Sequence, residues 1–215
     1  MKIALIGATG FVGSALLAEA LQRGHEVTVL SRDTTKIAPA NGLTVKQADV
    51  YDPAQIAAAL AGQDILISAF NPGWDKADIQ ALFLKGHDAI VAGSKQAGIA
   101  RLIEIGGAGS LYVAPGLQLV DTPDFPAEYK EGALGAREAL RRLQQETALD
   151  WTFVSPPALL APGVRSGKYR LGSDQLLMDG TAPAGISVAD LAVAVLDEAE
   201  QGQQRRRRFT VASAV

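Results

Sequence analysis

The sequence predicts an α/β domain built on a doubly wound parallel sheet with helices on both faces. Three observations carry that prediction. Short apolar runs and amphipathic runs alternate from the first residue to about residue 157, and parallel strands need such crossovers. A glycine-rich turn, Gly7-Ala8-Thr9-Gly10-Phe11-Val12-Gly13, joins the first apolar run to the first amphipathic one. The chain has 215 residues, 48% hydrophobic and 20% charged, which suits one soluble domain with a large core.

Residues 1–6 read as the first strand. Beyond the turn, Val12, Leu16, Leu17, Ala20 and Leu21 form one helical stripe, which Gly24 ends. Residues 27–30 and 43–47 are the second and third strands. Residues 49–53 turn the chain into a helix over 54–60. Residues 64–69 form a fourth, buried strand, and 71–75 a loop. Residues 79–96 make a long helix with Leu82, Phe83, Ile90 and Val91 on its core face, closed by Gly98. Residues 101–105 are the fifth strand, and a long loop runs over 106–126. Tyr129, Ala133, Ala136, Leu140, Leu143 and Thr147 then repeat at helical spacing. Residues 151–154 form the sixth strand, stopped by Pro156-Pro157. Residues 158–215 are less regular. They are expected to form a small cap over the strand ends within one domain spanning 1–215, with a helix over 187–198 and a last strand over 207–211.

Several classes are excluded or disfavoured. No apolar run approaches the roughly 18 residues that span a membrane. The chain opens on a strand, so no cleavable leader is expected. The absence of cysteine removes disulfides, thiolate metal sites and cysteine nucleophiles. Two histidines without clustered ligands give no metal site: His25 reads as a turn residue and His87 as a buried, hydrogen-bonded one. No serine stands in a G-x-S-x-G elbow. A net charge of -3 gives no general reason to bind nucleic acid. Arg205–Arg208 read as a solvated approach to an edge strand, where charge discourages pairing with another chain. A cytoplasmic protein, monomer or homodimer, is expected.

Ligands of such sheets bind outside the carboxyl ends of the strands. The loops there cover residues 7–13, 31–36, 48–50, 69–74, 106–112 and 155–157. Without a Cβ at Gly7 and Gly10, a diphosphate can approach the backbone, and Gly13 lets helix and strand pack closely. The first amides of the helix lack intrahelical partners and bind anions. Gly7, Ala8, Thr9, Gly10, Phe11, Val12 and Gly13 are therefore assigned to a dinucleotide. After the second strand stand Ser31 and Arg32 in place of a ribose-binding carboxylate. Arginine clamps a 2′-phosphate, so Arg32 with Ser31 and Lys36 favours NADP(H) over NAD(H). The alternative is a surface arginine with Asp33 on the ribose. Asp49, beside Val50, is a candidate for the adenine amino group or, equally, a helix cap before Pro53. Ala69, Phe70, Asn71, Gly106, Gly107 and Pro156 are placed along the nicotinamide half. Trp74 and Pro157 are placed on the substrate side.

These residues resemble a known family. The segment Ile3-Ala4-Leu5-Ile6 with the glycine turn is similar to the atypical short-chain dehydrogenase/reductases, the NAD(P)H-binding group. Ile105-Gly106-Gly107-Ala108-Gly109-Ser110-Leu111, Asp121-Thr122-Pro123, Trp151-Thr152-Phe153-Val154-Ser155-Pro156 and Arg207-Arg208-Phe209-Thr210-Val211 resemble the NADH-flavin reductases of bacteria. The resemblance implies a Rossmann fold, NAD(P)H binding and hydride transfer to a flavin (FMN or FAD as substrate), a quinone or a similar planar acceptor. One departure stands out. The superfamily's Tyr-x-x-x-Lys pair is absent, because four residues after Tyr129 comes Ala133. Carbonyl reduction or epimerisation by that route is disfavoured, and a non-catalytic NAD(P)H sensor of the NmrA-like type stays an alternative, with an epimerase or dehydratase behind it.

Hydride transfer to a flavin asks mainly for proximity and for donors to the charge that develops on the ring. Ser110 and Tyr112, after the fifth strand, are the candidate catalytic side chains. The competing readings are a turn serine and a half-buried packing tyrosine.

Overall fold

The computed structural model describes residues 1–214. β1 (Lys2–Ile6) enters the glycine turn and α1 (Phe11–Gln22), which ends before Gly24 at φ +78°. β2 (Glu26–Ser31), β3 (Leu43–Gln47), α2 (Pro53–Ala59), β4 (Ile65–Ser68), α3 (Ile79–Gln96) and β5 (Arg101–Ile105) follow. The loop predicted over 106–126 carries a small hairpin, β6 (Tyr112–Ala114) with β7 (Leu117–Gln118), before α4 (Ala127–Leu143) and β8 (Asp150–Ser155). The remaining elements are β9 (Leu159–Ala161), β10 (Tyr169–Gly172), β11 (Met178–Asp179), β12 (Ala182–Pro183), β13 (Gly185–Ser187), α5 (Val188–Gln201) and β14 (Arg207–Ser213).

Eight strands form one sheet in the order β10-β14-β8-β5-β4-β1-β2-β3, parallel throughout except for β10 against β14. The central strands are buried on both faces, as covered parallel sheets are: every residue of β4 and β5 is buried, and so are the last four of β1. On one face Leu16 and Ala20 of α1 and Leu191, Val195 and Leu196 of α5 pack on Leu5, Ile67 and Phe209. On the other, Ile56 of α2, Phe83 and Ile90 of α3 and Leu140 of α4 pack on Leu66, Leu102 and Phe153. Strand order reverses at the β1/β4 junction, where such sheets leave a crevice for ligands.

The segment after residue 157 departs from the expected cap. The pairs β9–β13 and β11–β12 are small separate sheets, whereas α5 belongs to a main layer and β10 and β14 extend the main sheet. β14 is therefore interior and β10 is the edge. Of the arginine run, Arg205 and Arg206 pair with Asp150 in solvent, but Arg208 is buried and donates from Nε to Asp174 (2.8 Å). The four-residue β10 has only weak alternation, and without it the last strand reads as an edge. α4 also stops at Leu143, short of Thr147.

Two ion pairs lie inside the layers. Arg101 at the start of β5 meets Glu198 of α5, which also accepts from the amides of Gln203 and Gln204. His87 of α3 meets Glu104 of β5, Nδ1 to Oε2 2.9 Å. Burial disfavours the charged imidazole, yet the facing Glu104 carboxylate outweighs burial and holds the His87 pKa above its ordinary value. A raised folded-state pKa gives stability that is complete below the unfolded value of about 6.5 and is lost as pH climbs through the folded value. Relative to the double variant His87→Gln/Glu104→Gln, the wild type is expected to lose unfolding free energy as pH rises above about 6.5 and through the raised folded-state value. Urea titrations at several pH values check this, and a gap that is constant or widens would contradict it.

Candidate functional site

The glycine turn is shaped by what its residues lack. Gly7 has φ +85°, and a Cβ there would overlap the Ala69 carbonyl at the end of β4. A Cβ at Gly13 would overlap the Gly7 carbonyl, so α1 presses directly on the turn. The Gly10 amide donates to Gly7 O (2.9 Å). Gly10 is also the N-cap of α1, with no side-chain cap and no acidic residue in the first turn. The amides of Phe11 and Val12 thus face outward with no intrahelical acceptor, at the positive end of the helix. A side chain at Gly7 or Gly13 would push the turn away from β4 or α1, and a diphosphate fits the donors that the close approach leaves in place.

At the end of β2, Asp33 is occupied by its own turn. Its Oδ1 accepts from the Thr35 amide (3.1 Å) and hydroxyl (2.6 Å), and those bonds hold its pKa below the usual range. Ser31 Oγ donates to Asp33 O (2.9 Å), and Lys36 Nζ lies 3.7 Å from Asp33. The exposed Arg32 guanidinium has no partner among the described residues. Asp33 Oδ2 accepts no hydrogen bond among the described residues, so the alternative with Asp33 on the ribose stays open. At the end of β3, the helix cap is Asp52, which accepts from Ala54 and Gln55, not Asp49. Asp49 Oδ1 accepts from Tyr51 N (3.0 Å) and its other oxygen is open among the described residues. Val50 stands half-buried beside it.

Between α1, α3, α4 and the strand ends lies a cavity of about 740 Å³. Gly10, Phe11, Val12, Ala69, Phe70, Asn71, Gly106, Gly107 and Pro156 form its inner wall, next to the cradle. Phe70 is wedged against Gly86 and packs on Phe83 and on the edge of Tyr51, ring centroids 6.1 and 5.8 Å away. Asn71 Oδ1 accepts from Gly73 N (2.8 Å) and fixes the bend that presents Trp74. Trp74 meets Tyr129 edge to face, centroids 5.2 Å apart, over Gly132, where a Cβ would lie 2.5 Å from the indole. Both rings are about half exposed, and with Pro157 they line the outer end.

Ser110 and Tyr112 do not line this cavity. The Ser110 hydroxyl is buried and accepts from Arg208 Nη1 (3.0 Å), as does its carbonyl (2.9 Å). Tyr112 is held in β6, donating its amide to Asp174 O (2.8 Å) and accepting from Leu176 N (2.9 Å). In this structure both belong to the frame beside the cavity: the guanidinium on β14 donates to the hydroxyl and the carbonyl of Ser110, and Tyr112 is fixed through its backbone. Sequence reasoning missed the wall made by Leu119, Thr122, Asp124, Phe125, Pro126, Tyr129, Ala133, Leu159 and Pro183. Its one visible signal was the Asp121-Thr122-Pro123 segment, since Tyr129 had been read as part of a core stripe.

A reversed-order parallel sheet with an uncapped glycine cradle at its switch point defines a dinucleotide-binding α/β protein. This chain belongs to the NAD(P)H-binding family, which it matches over residues 7–199. It is similar in structure to a Burkholderia pseudomallei protein provisionally designated an exported protein, 47% identical, with 99% of each chain covered and a TM-score of 0.88. A Bacteroides thetaiotaomicron protein provisionally designated an epimerase is 44% identical, covering 100% of this chain and 97% of that one, with a TM-score of 0.91. A Streptococcus pneumoniae protein provisionally designated an NADH-flavin reductase is 32% identical over 100% of both chains, with a TM-score of 0.86.

Gly13→Ala is expected to force α1 off the turn. The overpacking should cost about 1–3 kcal/mol, and NADPH affinity should fall with it. Thermal unfolding and isothermal titration check both, and unchanged coenzyme binding would reject the close approach as a requirement. Arg208→Met leaves the buried Ser110 hydroxyl without its donor and the Ser110 carbonyl with Gln118 Nε2 alone (3.0 Å), at a cost of about 1–3 kcal/mol. Denaturant titration measures the loss.

Proposed function

We propose that this protein is an NADP(H)-dependent oxidoreductase that passes a hydride to a flavin, a quinone or a similar planar acceptor. The observation that carries the proposal is the single cavity that begins at the amides of α1 and ends between Trp74 and Tyr129. In this reading the turn from Gly7 to Gly13, with Ala8 and Thr9, holds the diphosphate. Arg32, with Ser31 and Lys36, holds a 2′-phosphate, and Asp49 and Val50 take the adenine. Phe70, Asn71, Gly106, Gly107 and Pro156 orient the nicotinamide, with Ala69 behind them. Trp74 and Pro157 receive the acceptor. The bound coenzyme supplies the hydride. The chain supplies alignment, an apolar wall that excludes water, and the leading amides of the turn Ala108–Ser110, which lack partners within that turn and offer donors to the charge gained by the acceptor.

The missing acid–base pair weighs against an epimerase, since Tyr129 is followed by Ala133 where that chemistry places a lysine. The same departure favours a second reading, a non-catalytic NAD(P)H sensor. Steady NADPH oxidation with FMN or a quinone is expected, and tight coenzyme binding without turnover over a broad acceptor panel would favour the sensor. No described helix is long and apolar enough to cross a membrane. A cytosolic setting accords with the cysteine-free composition.

Arg32→Ala is expected to weaken NADPH binding by about 1–3 kcal/mol, the size of a charge-assisted hydrogen bond, and to spare NADH. Isothermal titration with both coenzymes checks it, and equal losses would reject the 2′-phosphate assignment.

A further inference from the structure

We infer that the acceptor end of the cavity takes an uncharged planar ring and selects against phosphorylated or sulfonated forms of the same ring. This deepens the hydride-transfer reading and rests on it. The outer wall is apolar and aromatic, with Leu119, Phe125 and Leu159 behind Trp74 and Tyr129. Among the described residues lining the cavity there is no lysine, arginine or histidine, and Asp124 is the one charged side chain. Asp124 is exposed, and no hydrogen bond or ion pair engages it among the described residues. Of the cations on nearby elements, Arg137 of α4 is paired with Asp121 (2.8 Å), Lys76 with Asp75 (3.2 Å) and Arg208 with Asp174 and Ser110, whereas Lys130, beside Tyr129, is exposed without a partner among the described residues and does not line the cavity.

An anionic substituent entering here would exchange water for hydrocarbon and gain no partner. It would also meet a carboxylate of its own sign. A neutral ring meets neither obstacle and finds aromatic faces and edges to pack on. The charge requirements of the two ligands are therefore separated along the cavity. The unpartnered amides of the glycine cradle lie toward one end, and hydrocarbon with a lone carboxylate lies at the other. In the reaction the acceptor gains the hydride lost by the reduced coenzyme and one proton from water, so a quinone leaves as its hydroquinone.

The test compares ring pairs that differ in charge: naphthoquinone with its sulfonate, and riboflavin with FMN. Each is titrated by calorimetry into protein saturated with NADP⁺, where no turnover occurs. The neutral member of each pair is expected to bind at least about fivefold more tightly, the effect of one unit-charge contact near a wet surface. The ratio should shrink as salt is raised. Asp124→Asn should narrow it about threefold, most of the effect of that contact. Equal or tighter binding of the charged members would overturn the inference, and so would a failure of the neutral rings to bind. Rates of NADPH oxidation with the same four compounds separate the two levels. Selective binding of neutral rings without turnover sinks the hydride-transfer reading alone, whereas preferential turnover of FMN sinks the charge selection alone.

Discussion

Everything at the coenzyme end depends on one contact, the approach of α1 to the carbonyl of Gly7 at Gly13. That approach sets the depth at which the helix starts. It aims the unpartnered amides of Phe11 and Val12 at the crevice where strand order reverses. The turn is pinned from the other side by the Ala69 carbonyl, so β1, β4 and α1 converge on three residues without side chains. A rigid donor array is the result, held by packing and not by any polar side chain. Such an array binds an anion without first having to reorganise.

The opposite end of the cavity is built on other principles. No glycine cradle and no fixed cation is found there among the described residues. Aromatic edges and aliphatic side chains from a loop, a helix and two short strand pairs make the wall. One protein thus presents a strongly polar, geometrically exact subsite and a loosely specified apolar one. Divergence of acceptor within a shared coenzyme scaffold is what such a division permits, because loops change more easily than the sheet that carries them.

The sheet was largely legible in the sequence. β1, β2, β3, β4, β5 and β8 and the long α3 follow apolar runs and helical stripes that read locally, and the glycine turn between β1 and α1 reads from seven consecutive residues. Other features have no local signal. β10 is four residues long, the strands of the β11–β12 hairpin are two residues each, and the pair β9–β13 exists only because separate segments meet. Ser110 was legible as a polar residue at a strand end, but its partner Arg208 lies 98 residues away, so no spacing rule could show that its hydroxyl is spoken for. The acceptor wall has the same character: Leu119, Tyr129, Leu159 and Pro183 converge by topology and share no motif.

The position of β14 has a consequence for how the sheet closes. Because it inserts between β8 and β10 and anchors the Ser110 loop through Arg208, a segment far along the chain completes the sheet that β1 begins. A chain ending after β8 already carries the glycine cradle, yet leaves the flank of β8 unpaired and the Ser110 hydroxyl without Arg208. Such an intermediate is prone to associate edge to edge. Loss of residues 207–213 therefore acts on the sheet's interior, where removal of a peripheral segment usually costs only a fraying strand.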